Sequence, residues 1–65
     1  MYSTFYEIEL VADDRSVSRF GVLVDDSALL VDVLWGVMKE NRAAVGRVYR
    51  SGRLVLEHSR DEVVR

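Results

Sequence analysis

Apolar and polar side chains alternate from residue 2 to residue 12. Tyr6, Ile8, Leu10 and Ala12 fall on one side, and Phe5, Glu7, Glu9 and Val11 on the other. A period of two, rich in aromatic and β-branched residues, predicts a strand with one wet face. Asp13-Asp14-Arg15-Ser16 predicts a polar turn. Val17 to Val24 then resumes the alternation with Phe20, Val22 and Val24 inward, so the two strands form an antiparallel hairpin. Gly21, inside the second strand, marks a bulge or a close approach.

From Asp25 to Glu40 the pattern becomes helical. Asp25, Asp26 and Ser27 are all good N-cap residues, and two carboxylates suit the positive end of the helix dipole. At about 100° per residue, Leu34, Val37, Val33 and Met38 cluster around Leu30 as a core stripe. Val31 and Trp35 sit roughly 100° and 140° round from Leu30, with Ala28 beyond them. Only Asp32, Gly36, Lys39 and Glu40 fill the polar sector. The apolar arc is therefore roughly 200°, twice the width that an ordinary surface helix needs. Either the sheet and the C-terminal tail wrap Val31 and Trp35 into the core, or these residues form an exposed shoulder that docks on a partner. Tryptophan is enriched among interface anchors, and monomers avoid contiguous exposed apolar patches. Gly36 costs about 1 kcal/mol relative to Ala in a helix interior, which is understandable if another backbone approaches there. Val31, Trp35, Gly36 and Met38 are thus the candidate partner or dimer surface.

Asn41-Arg42 predicts the end of the helix, although Ala43-Ala44 could extend it by a turn. Val45 to Arg50 and Arg53 to His58 predict a second hairpin about Ser51-Gly52. In that register Tyr49 faces Leu54, Val48 faces Val55 and Arg50 faces Arg53. Two opposed arginines repel, so an acidic neighbour or partner is expected near them. Residues 59–65 open on a Ser-x-x-Glu capping box and predict a short helical turn or a frayed tail. The order ββαββ implies an α+β fold with one domain spanning 1–65. It would be a four-stranded, mostly antiparallel sheet with one helix on a face. The other sheet face would carry Phe5, Val11, Val48 and Val55, a second place for a partner.

Composition narrows the function more than the fold. The chain has 65 residues and no cysteine, so no disulfide or thiolate metal site can staple its small core. Cores of this size often gain stability by oligomerising, which points to a homodimer independently of the helix. The N-terminus lacks a basic-then-apolar leader, and the apolar run 28–38 is far shorter than the roughly 20 residues of a membrane span. A cytoplasmic protein is expected. Arginine and valine richness suggests a GC-rich bacterial or phage genome. Net charge is −2, but residues 1–33 carry seven acids and two bases while 34–65 carry four acids and seven bases. Such a polarised chain steers a charged partner or its own copy, unless strands from the two halves pair and the charges intermix.

Candidate chemistry is thin. His58 is the only histidine, and Ser59 and Asp61 beside it do not make a triad without a Gly-x-Ser-x-Gly elbow. The Asp13-Asp14 and Asp25-Asp26 pairs lack calcium-loop spacing, and Gly21, Gly36, Gly46 and Gly52 form no phosphate loop. No enzyme, cofactor, metal or small-molecule substrate is expected. Arg42, Arg47, Arg50 and Arg53, with Tyr49 among them, could hold an anionic partner or a nucleic-acid backbone and stack a base. The acidic total and the lack of a nucleic-acid motif speak against that alternative. Residues 48–63 faintly resemble the closing hairpin of RelE-type ribonuclease toxins. Those toxins place helices before their sheet, whereas this chain starts with strands, so no family is assigned. The expected role is a protein-binding module, homodimeric, regulating or inhibiting another macromolecule. At the level of size and class alone, phage anti-defence proteins such as anti-CRISPRs are analogous.

Overall fold

The computed structural model describes the backbone of residues 3–63 and the side chains of 3–61. The expected strand start at Tyr2 and the end of the tail, Val64 and Arg65, lie outside the described residues. Strand β1 (Thr4–Val11) and β2 (Val17–Val24) form the first hairpin. A 3₁₀ turn at Ser27–Leu29 leads into α1 (Leu30–Asn41). Strands β3 (Val45–Arg50) and β4 (Arg53–Ser59) form the second hairpin, and a 3₁₀ turn follows at Arg60–Val63. The ββαββ chain makes one antiparallel sheet in the order β2-β1-β3-β4, with the helix on one face.

Local chemistry explains the breaks. The Asp26 carboxylate accepts the Ala28 N–H at 2.9 Å and caps the 3₁₀ turn that precedes the helix. Asp25 instead takes a hydrogen bond from the Ser3 hydroxyl. The helix stops at Arg42, which adopts the left-handed conformation (φ 55°), and Ala43 N–H donates to Met38 O at 2.9 Å. Ala43 and Ala44 therefore do not extend it: Ala43 is buried, and the Ala44 N–H docks on Val11 O of β1 at 2.8 Å. A left-handed arginine costs what a glycine would not. Arg42→Gly is expected to raise stability by about 1 kcal/mol, read as a higher denaturation midpoint. Ser51 and Gly52 both have positive φ (51° and 79°), as a two-residue type I′ hairpin requires.

The core lies between sheet and helix. Ile8, Leu34 and Val48 are fully buried, joined by Tyr6, Leu10, Val24, Leu30 and Met38. Gly46 lets the helix settle on β3. A Cβ there would stand 2.7 Å from Met38 Sδ and 2.8 Å from Leu34 Cδ1.

Several expectations are corrected. Val48 faces Leu56, not Val55, because Val55 is the extra residue of a bulge, while Tyr49 opposes Leu54 and Arg50 opposes Arg53 as anticipated. Val48 packs in the core instead of on the far sheet face. Phe20 points to the helix side but remains 37% exposed, since β2 is an edge strand lying beyond the main core. Gly21 marks a close approach: the Phe5 ring lies over it, and a Cβ would meet Phe5 Cζ at 2.4 Å.

Candidate protein interface

Among the described residues, nothing forms a layer over the sheet face away from the helix. Strand parity and register put Phe5, Glu7, Glu9 and Val11 of β1 there, beside Leu23, Arg19 and Val17 of β2. Across the sheet come Arg47 and Tyr49 of β3, then Leu54 and Glu57 of β4. Leu23 is 70% exposed and Phe5 61%; Val17, Leu54 and Val55 are close to half exposed. Open antiparallel faces are ordinarily polar, so these exposed apolar residues make this face the candidate interface.

A row of alternating charge crosses all four strands at the centre of this face. Arg19, Glu9, Arg47 and Glu57 are direct cross-strand partners in that order. Arg19 donates twice to Glu9 Oε2, at 3.0 and 2.7 Å. Arg47 Nη1 donates to Glu9 Oε1 at 2.9 Å and its Nε to Glu57 Oε2 at 2.5 Å. The two guanidinium groups cover Glu9, which is only 6% exposed. They hold its carboxyl below the usual range, Arg47 first and Arg19 second, against the opposing push of burial. The contact of Glu9 with Arg47, like that of Asp13 with Arg60 at 2.7 Å, joins the acidic and basic halves of the chain. The intermixing reading of the charge polarisation therefore holds for these pairs.

On the helix side the expected shoulder divides. Val31 is 40% exposed, and Leu29 beside it is also open. Trp35 is half-buried because its indole stacks on the His58 ring of β4, centroids 4.5 Å apart and planes 28° from parallel. Met38 is buried in the core, 3% exposed. Gly36 faces open space, with nothing among the described residues within 4 Å of where its Cβ would stand. Between the helix end and the tail, Trp35, Lys39, Arg42 and Arg60 border an open groove of about 750 Å³.

The five residues expected to bind an anionic partner do not form one surface. Arg47 is engaged by Glu9 and Glu57 on the open face, with Tyr49 beside it. Arg42 ends the helix and borders the groove by Lys39. Arg50 and Arg53 flank the Ser51-Gly52 turn and make no ion pair among the described residues. Strand parity and the left-handed helix end send these side chains in different directions although they are close in sequence. Sequence reasoning missed Arg19, Glu9 and Glu57. The alternation of β1 placed Glu9 on the outer face, but nothing local to it pointed to Arg47.

Among the described residues, no group of three or more histidine, cysteine or acidic side chains could hold a metal, and no helix is long and apolar enough to cross a membrane. Compared with known proteins, the chain matches no family model, no curated protein and no solved structure.

Proposed function

We propose that this chain is a non-enzymatic protein-binding module that pairs with a second copy of itself and regulates another macromolecule by occupying its surface. The observation that carries the reading is the amount of large apolar surface left open on so small a fold. It includes Leu23, Phe5, Val17 and Leu54 on the sheet, Leu29 in the 3₁₀ turn and Val31 on the helix. Burying such side chains is worth about 1.5–3 kcal/mol each when complete, so a surface of this composition favours association. Two separate apolar areas allow one to serve pairing and the other a target. An inhibitor of a bacterial defence system, in the manner of anti-CRISPR proteins, is the specific role we favour, on analogy of size and class alone.

Sedimentation equilibrium tests the pairing. The expected result is a species of twice the 7.4 kDa chain mass, formed reversibly over the micromolar range and persisting at high salt, as apolar contacts do. A chain that stays monomeric throughout contradicts the reading.

A further inference from the structure

We infer that the open sheet face is the surface on which two copies meet, with a two-fold axis running along the strands between β1 and β3. This rests on the pairing reading above and specifies its geometry. The charged row supplies the orientation. In strand order it runs positive, negative, positive, negative: Arg19, Glu9, Arg47, Glu57. A two-fold parallel to the strands reverses that order in the second copy. Arg19 then faces the second copy's Glu57, and Glu9 faces the second copy's Arg47, so each position meets its opposite. An axis laid across the strands along the row brings each residue to its own copy and sets like charges together. Of the two in-plane axes, only the first makes this row self-complementary.

The ends of the row have the capacity to accept a partner. Its inner members are already occupied, with the Glu9 side chain 8% exposed. The outer members are open: the Arg19 side chain is 62% exposed and that of Glu57 48%. Reversal places each open end against the opposite open end of the other copy. Within one chain the row is neutral and hydrogen-bonded, which lowers the desolvation penalty that unpaired charges would carry into an interface.

The flanking rows agree. On one side Val11 meets the second copy's Val45, and Val17 lies over its Ser59. On the other, Leu54 meets Gly21, which the Phe5 ring closely approaches. In the same row Tyr49 meets the acidic Glu7. The four strands face their counterparts over about six residues, about 20 Å, at a spacing of about 4.8 Å, a footprint of about 400 Å² per copy. The total of about 800 Å² lies below the roughly 1,200 Å² of stable interfaces, in the range of weak, reversible association. The product is a helix–sheet–sheet–helix sandwich, with its two sheets aligned within about 30° as such layers pack.

Arg19→Glu and Glu57→Arg are made separately and studied by sedimentation equilibrium, each first shown to be folded by circular dichroism. In either variant alone, like charges face each other at both ends of the row, and self-association weakens by about tenfold or more. Mixing the two variants restores opposite charges at every position and should return a mixed dimer of near wild-type affinity. Leu54→Lys, which removes no ion pair within the chain, should weaken pairing without loss of fold. Wild-type affinity in all three variants overturns the inference, and so does a mixture that stays dissociated. A wild-type dimer broken by Val31→Lys but indifferent to the sheet variants sinks this geometry and leaves the pairing reading standing. A monomeric wild type removes both.

Discussion

Gly46→Val lowers stability by about 3 kcal/mol, the upper end of what overpacking a core usually costs. The atoms a side chain would strike are the ends of Met38 and Leu34, at 2.7–2.8 Å from a Cβ. Flexible ends can usually move, but here they cannot move far. Leu34 is fully buried and Met38 nearly so, and Val48 closes the same layer from β3. The helix must therefore lift from β3. A chain of this length has about 3–10 kcal/mol of stability in all, so the variant sits near the unfolding threshold at room temperature. Urea denaturation reads the loss. The steric cause makes a second demand: adding Met38→Ala should recover part of the loss, because it vacates the space that valine needs. A double variant whose losses simply add would show that the collision is not with Met38.

Glu9→Gln costs about 1–2 kcal/mol near neutral pH and almost nothing in acid. The carboxylate accepts charge-assisted bonds from two arginines, and the amide that replaces it keeps the shape but not the charge. The value is held to the low end because Arg19 is largely in water, where solvent screens the pair. The direction with pH follows from linkage. The Glu9 carboxyl titrates lower in the folded chain than its ordinary value of 4.5, the guanidinium of Arg47 being the leading cause. Its contribution is therefore fully present above that ordinary value and disappears as pH falls through the lowered folded one. Asp13 and Asp14 are lowered too, by Arg60 and by Ser16, so wild-type stability falls in acid for more than one reason. The informative quantity is the difference between wild type and Glu9→Gln, which should shrink toward zero as pH falls through the lowered folded value. A difference that persists unchanged in acid would mean that shape, not charge, holds the row together.

These two positions illustrate which parts of the molecule were legible beforehand. Gly46 is unremarkable in sequence, one of four scattered glycines, and only the seating of the helix gives it a role. Glu9 was correctly placed on the outer face of its strand, because alternation is a local property of extended backbone. Its partner Arg47 is 38 residues away and becomes its neighbour only because β3 returns to pair with β1. Similarly, the helical repeat identified Leu30 and Leu34 as core, but could not say whether Trp35 would find cover. The ring of His58 supplies it, from the last strand.

Taken alone, the order of residues determined the ββαββ succession, the hairpin turn at Ser51-Gly52 and the inward stripes of the first two strands and the helix. All of these follow from interactions within a few residues: backbone sterics, capping and the two periodicities. The tertiary structure decided the strand order β2-β1-β3-β4, the bulge at Val55, the dispersal of the arginines and the charged row across the face away from the helix. Those depend on which strands become neighbours, which is set by how the helix and both hairpins share one core and not by any short stretch of chain.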